Sequence, residues 1–140
     1  MSKPDIYLVD NGSLSPIATI QLREIAKKLS LLSSHNIQAV SLLHSHKVPK
    51  VQVENIEATI VKRAMREAIE CGQIEFVIVP LFLGPSLAIT QYLPEVIDSF
   101  RHDNPDLRVQ IAAPLCGHCI EEPDIRLAKI LQAHVQELTR

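Results

Sequence analysis

The sequence predicts an α/β fold, with a four-stranded parallel sheet between two layers of helices. Apolar runs typical of buried strands alternate with segments whose apolar residues recur at helical spacing, four times along the 140 residues. The run at 76–79 is apolar on both faces, as in a central strand that is covered on both sides. If the crossovers are right-handed and the chain reverses direction once, the strand order is 2-1-3-4.

The composition indicates one globular domain over residues 1–140, with 46% hydrophobic residues and a net charge of −2. No apolar run approaches the roughly 18 residues of a membrane span, so we expect no membrane association. Three cysteines without a repeated spacing argue against a secreted disulfide scaffold, and we expect a cytoplasmic protein. The near-neutral charge and the lack of Trp make nucleic acid an improbable partner.

The first half of the chain predicts two strands and one helix. Residues 6–9 form the first strand, and the turn-forming segment 10–13 ends it. Ser15 and Pro16 suit the start of a helix that runs to about Ser33. Its predicted buried stripe is Ala18, Leu22, Ile25, Leu29 and Leu32. Residues 37–43 form the second strand, followed by a loop at 44–50.

The second half predicts three helices around two strands. The second helix should run from about 54 to 71 and end at Gly72, with Ile56, Ile60, Ala64 and Ala68 facing inward. Pro94 fits only the first turn of a helix, so the third cannot begin much before Gln91. Its predicted stripe is Leu93, Val96, Ile97 and Phe100. Strand 107–112 and a loop at 113–122 follow, and a final helix should pack through Leu127, Leu131, Val135 and Leu138.

The predicted functional surface is the edge of the sheet at which the strands end. Ligands of parallel sheets bind beyond the carboxyl ends of the strands, where the strand order reverses. That rule places the turn at 10–13 beside the loop at 83–91.

Several short motifs then point to a family. Gly12-Ser13 follows the first strand, the third strand reads Val79-Pro80-Leu81-Phe82-Leu83, Leu93-Pro94-Glu95 opens a helix, and Pro114-Leu115 follows the last strand. In that order they resemble the small chelatases of the CbiX type, the sirohydrochlorin cobalto- or ferrochelatases of cobalamin and siroheme biosynthesis. The resemblance implies a class II chelatase fold, a homodimer and no organic cofactor. It implies insertion of a divalent metal substrate (Co, Fe or Ni) into a polycarboxylate tetrapyrrole.

Two positions depart from the family pattern. The first metal-holding histidine of the family corresponds to Asn11, and the second corresponds to Ala88. Alanine offers no ligand atom, and the amide oxygen of asparagine is a poor partner for metals that favour imidazole. The metal site has therefore moved, or the chemistry has been lost.

His44 is the candidate replacement, either as a metal ligand or as the base that takes a pyrrole proton. His46 is a second possible ligand, although both histidines could simply belong to a solvated loop. Together with Asn11, His44 forms the predicted catalytic pair. The predicted substrate-binding residues are Asp10, Gly12, Ser13, Lys47, Ser86 and Thr90. The same lysine and turn residues have a plainer interpretation as surface charge and helix cap.

The loop after the fourth strand contains a Cys-x-x-Cys motif, Cys116 and Cys119 with His118 between them. These three residues could hold a structural zinc ion together with a further ligand from elsewhere. A redox role is disfavoured because the following Glu121, Glu122 and Asp124 would raise a thiol pKa. An ordinary loop is the third alternative.

Two functions remain open from the sequence. The protein could be a divergent chelatase that handles its metal through His44, or a non-catalytic binder of a tetrapyrrole, a metal or an anion on the same fold.

Overall fold

A computed structural model describes residues 3–139 and confirms the predicted α/β architecture. All strand pairs are parallel, and their order is β2-β1-β3-β4. The strands are β1 (Asp5–Asp10), β2 (Ile37–Ser41), β3 (Glu75–Pro80) and β4 (Arg108–Ile111). The helices are α1 (Pro16–Ser33), α2 (Val61–Glu70), α3 (Leu93–Arg101) and α4 (Ile125–Leu138).

The main core lies between the sheet and helices α2 and α3. Phe76 and Ile78 of β3 are buried there, and the ring centroid of Tyr7 lies 5.8 Å from that of Phe76. Met65 of α2 and Leu93 of α3 are fully enclosed by this core. The predicted α3 stripe is confirmed, with Leu93, Val96 and Ile97 buried and Phe100 packed at the margin.

The opposite side of the sheet has a smaller core under α1. Leu8, Leu22, Ala26 and Ile37 form it. The α1 stripe is rotated from the prediction: Thr19, Leu22 and Ala26 are buried, whereas Ile25 and Leu32 are exposed. The apolar pattern predicted the helix correctly, but a neighbouring face of the helix packs against the sheet.

The packing predicted for α4 is wrong. No residue of this helix is buried, and Leu131, Val135 and Leu138 have 60%, 57% and 87% of their surface exposed. Leu127 is only half-buried. Val77 and Val79, which lie on the α1 side of β3, also remain half-exposed. Within a single chain, the expectation that both faces of β3 are covered is therefore confirmed only for the face toward α2 and α3.

Helix α2 begins seven residues later than predicted, at Val61 rather than at Glu54. Glu54 and Asn55 have positive φ angles of 62° and 60°, which a right-handed helix excludes. Ile60 is extended and bridges Ser41 at the end of β2. Pairing with the sheet edge therefore overrides the local helical pattern, and Ile56 is exposed. Val61 and Met65 are fully buried, and the predicted Ala64 and Ala68 pack against the same core while partly buried.

Candidate functional site

The turn after β1 is held against the end of β2. The Leu42 N–H donates to the Asp10 carbonyl at 2.8 Å, and the Leu43 N–H donates to the Asn11 carbonyl at 3.1 Å. Gly12 has a φ of +94°, and a Cβ built there would lie 1.7 Å from the Leu43 carbonyl oxygen. Glycine is therefore required by both conformation and space, because any side chain would force the two segments apart.

The Asp10 side chain helps to hold the turn after β1 against the end of β2. Its carboxylate accepts a hydrogen bond of 2.6 Å from the Ser41 hydroxyl. Burial raises the pKa of Asp10, and the hydrogen bonds from Ser41 and the Gly12 backbone partly oppose that shift. Ser13 accepts a 2.9 Å hydrogen bond from the Ser15 N–H and so closes the entry to α1.

The segment after β2 presents two histidines in different environments. His44 is exposed and has a φ of +72°, an uncommon conformation for a residue other than glycine, just before the 3-10 turn Ser45–Lys47. His46 is half-buried, and its Nδ1 has no hydrogen-bond partner within residues 3–139. Burial lowers the pKa of His46, and the nearby positive charges of Arg63 and Lys47 lower it further. Lys47 itself is exposed.

The loop after β3 approaches the same edge. The Thr90 hydroxyl donates to the Ser86 carbonyl at 2.9 Å, while the buried Ser86 hydroxyl has no partner among the described residues. A π-helical turn, Ala88–Tyr92, precedes α3. Such turns are frequent at functional sites.

A cavity of about 270 Å³ lies between the loop after β2 and the segment after β3. Its lining residues are Leu43, Leu87, Ala88, Gln91, Tyr92 and Glu95. Since Leu43 also bonds to Asn11, the loops after β1, β2 and β3 meet at one place, and His44 is the next residue along the chain. We call this set of three loops the rim.

Gln91 lies within the segment 83–91 that the sequence predicted to be part of the functional surface, whereas Leu43, Tyr92 and Glu95 were not predicted. Their residue types carry no distinctive signal. For Tyr92 and Glu95, the position within the first turns of the helix after β3 was the available indication.

The cysteine loop is anchored beside the rim. The Leu115 N–H donates to the Phe82 carbonyl and the Cys116 N–H donates to the Leu83 carbonyl, both at 2.9 Å. Cys116 and Cys119 are free thiols, and the Cys119 thiol lies 3.5 Å from a carboxylate oxygen of Glu121. His118 is exposed. Within residues 3–139, no three His, Cys, Asp or Glu side chains are grouped so that they could hold a metal ion.

A larger cavity, of about 760 Å³, lies along the outer edge of β2 between α1 and residues 56–59. It contains none of the predicted site residues. The Arg23 guanidinium beside it donates to the Val53 and Ile56 carbonyls at 2.6 and 2.5 Å. This cavity is therefore separate from the rim. None of the helices in the described part of the chain is long and apolar enough to cross a membrane.

Comparison with known proteins now identifies the family. The CbiX family model matches residues 5–138. The chain belongs to the CbiX family. The resemblance drawn from Val79–Leu83 and the neighbouring motifs is thereby confirmed, and it supports a chelatase-like role in cobalamin- or siroheme-type biosynthesis.

A solved structure agrees with the fold. It is that of a Marinobacter aquaeolei VT8 protein described as a CbiX protein of cobalamin (vitamin B12) biosynthesis. The two chains are 17% identical, 96% of each is covered, and the TM-score is 0.65. At this identity the match supports the shared architecture. No curated protein matches the chain.

Proposed function

We propose that this CbiX-family protein inserts a divalent metal, Co, Fe or Ni, into a polycarboxylate tetrapyrrole such as sirohydrochlorin, with His44 taking the place of the two missing family histidines. The position of His44 is the observation that supports it most. Leu43, the preceding residue, bonds to Asn11 and shares a cavity with Ala88. His44 therefore directly follows Leu43, the residue that links Asn11 with Ala88.

The role proposed for His44 is proton transfer, with metal binding as a second contribution. Metal insertion releases two pyrrole protons, and an imidazole titrates near neutral pH. An exposed side chain on a loop suits a base that must reach a large flat substrate and then return its proton to water. His46 would assist as a neutral imidazole, because its lowered pKa favours the unprotonated form that binds metal.

Substrate carboxylates would be met by Lys47 and by polar groups of the rim. Lys47 is exposed and supplies a positive charge next to His46. The Ser86 hydroxyl has no hydrogen-bond partner among the described residues, but it is buried and would reach a carboxylate only after a movement of its loop. Asp10 is a poorer substrate ligand than its position suggested, because its carboxylate is already bonded to Ser41. We further propose that the protein works in the cytoplasm as a homodimer and without an organic cofactor.

The test follows the absorption spectrum of sirohydrochlorin with Co²⁺, with and without protein. We expect faster metallation with the wild-type protein, and a loss of at least about 100-fold in rate for His44→Ala, the usual scale for a general base. His35→Ala is the matched control, because His35 is also exposed but lies just before β2, at the opposite end of that strand. An unchanged rate in His44→Ala would contradict the role of His44.

A non-catalytic binder is the second candidate. The absence of a three-ligand group within residues 3–139 favours it, since one or two imidazoles hold a metal weakly by themselves. In the same assay a binder would shift the sirohydrochlorin spectrum without accelerating metallation. No spectral change and no acceleration would exclude both tetrapyrrole functions.

A further inference from the structure

We propose that the cavity at the outer edge of β2 is a second binding site, which takes a small amphipathic carboxylate with an aliphatic body. We call it the outer-edge cavity. It has a volume of about 760 Å³ and shares no lining residue with the cavity of the rim. Sites for small molecules have volumes of roughly 300–1,000 Å³, with mainly apolar walls and a few polar groups. The outer-edge cavity has each of these properties.

The walls of the outer-edge cavity are mainly apolar. Leu22 and Ala26 of α1 and Ile37 of β2 line it and belong to the smaller core. Leu31 of α1 and Ile56 of the facing segment also line it, yet they are 83% and 66% exposed. Two large aliphatic side chains on opposite walls are therefore left in water. An aliphatic ligand between them would remove this apolar surface from water, which is favourable.

The strand that lines the cavity also has unused backbone groups, because β2 is an edge strand. One side of β2 pairs with β1. On the other side, the Ser41 N–H donates to the Thr59 carbonyl at 3.1 Å, and the Ile37 N–H donates to the Ser30 hydroxyl at 3.0 Å. Alternation along the strand directs the N–H and carbonyl of Ala39 to this same side. Within residues 3–139 these two groups have no hydrogen-bond partner, so they can bond to a ligand in the cavity.

Arg23 gives the outer-edge cavity a positive charge without a counter-charge. Its guanidinium donates to two neutral acceptors, the Val53 and Ile56 carbonyls. In the described part of the chain, no carboxylate lies within ion-pair distance of it. A guanidinium has five N–H donors in a planar fork that matches the geometry of a carboxylate. Arg23 can therefore hold its two carbonyls and still bind an anion.

The other two charged side chains that line the cavity are already paired. The Lys27 ammonium lies 2.9 Å from a Glu24 carboxylate oxygen, and the Glu57 carboxylate lies 3.1 Å from the Arg63 guanidinium. Among the described lining residues, the charge left for a ligand is thus that of Arg23. A ligand that satisfies Arg23 and also covers the apolar walls has a carboxylate on an aliphatic body.

The test measures the binding of decanoate by isothermal titration calorimetry, below the concentration at which decanoate forms micelles. We expect a single site per chain with a Kd below about 1 mM. Butyrate has the same carboxylate without the long body, and decyltrimethylammonium has the same chain with the opposite charge. Both should bind at least about tenfold more weakly. Equal binding of either compound, or no binding of decanoate at about 1 mM, would overturn the proposal.

Two neighbouring leucines of α1 provide a matched pair of variants that locates the site. Leu31→Asp places a negative charge in the lining, and Leu32→Asp places the same charge on the adjacent residue, which is outside the lining. Both leucines are exposed, so both variants should fold, which circular dichroism checks. Leu31→Asp should weaken decanoate binding at least about tenfold, and Leu32→Asp should change it less than about twofold. Equal affinities in the two variants would contradict the assigned cavity.

A second pair of variants tests the charge. Arg23→Gln removes the positive charge but keeps a side-chain donor for the carbonyls, whereas Arg66→Gln removes an exposed charge from α2. We expect a loss of at least about tenfold in decanoate affinity for Arg23→Gln and none for Arg66→Gln. An unchanged affinity in Arg23→Gln would overturn the assignment of Arg23. The titrations contain neither sirohydrochlorin nor metal, so a failure here is distinct from a failure of metallation.

Discussion

The two sides of the sheet differ sharply in how completely one chain covers them. On the α2–α3 side, Phe76, Ile78, Met65 and Leu93 have 1% or less of their surface exposed. On the α1 side, Val77 and Val79 of β3 are only half-buried, and α4 has no buried residue. All four helices carry apolar residues at helical spacing. A periodic apolar pattern therefore predicts that a surface will be covered, and does not say which molecule covers it.

The largest expected effect contrasts the two sides directly. Met65→Ala should lower the free energy of unfolding by about 2–5 kcal/mol, because it leaves a cavity in a closed core. Leu131→Ala should cost less than about 0.5 kcal/mol in protein dilute enough to be monomeric, since the side chain is exposed there. Urea unfolding at low micromolar concentration measures both. Equal losses would show that α4 packs within one chain.

A second contrast uses two glycines with similar backbone angles. Gly12→Ala should cost about 3 kcal/mol, because a left-handed backbone and a collision with Leu43 act together. Gly117→Ala, with a φ of +84° and nothing within 4 Å of its built Cβ, should cost only about 1–2 kcal/mol of backbone strain. Thermal unfolding ranks the two variants. The reverse order would mean that Leu43 can move away from a side chain at position 12 at little cost in stability.

The smallest expected effect is the contribution of His46 to the pH dependence of the free energy of unfolding. Since the pKa of His46 is lowered in the folded protein, the unfolded chain binds more protons below its ordinary value of about 6.5. His46 should therefore add to stability above that pH and lose this contribution as the pH falls through the folded-state value. His46→Gln should flatten the slope of unfolding free energy between pH 7.5 and 5. His134→Gln, on exposed α4, controls for the loss of an imidazole.

Local chemistry accounts for most of the fold that the sequence could predict. Pro94 limited the start of α3, Gly72 marked the end of α2 with a φ of +95°, and the crossover rule supplied the strand order. The prediction failed where a distant segment decided the outcome. Residues before Val61 have a helical pattern, yet Ile60 pairs with Ser41.

The site was predictable to the level of loops. Asn11, His44 and Ala88 follow three strands whose carboxyl ends must lie together in a parallel sheet, so their neighbourhood follows from topology. The positive φ of His44 and the unpaired hydroxyl of Ser86 depend on how the loops settle against one another. No local residue pattern encodes these features, and whether His44 acts on a metal stays a prediction.

The exposed apolar residues of α4 link the oligomeric state of this protein to its abundance. If the proposed homodimer covers this helix, single chains at low concentration keep Leu131 and Leu138 in water. Arg126 and Lys129 on the same helix would then be open to trypsin-like proteases. Chains at high concentration would be protected from this cleavage. Turnover would therefore remove single copies preferentially, and a small rise in synthesis would produce a disproportionate rise in completed molecules.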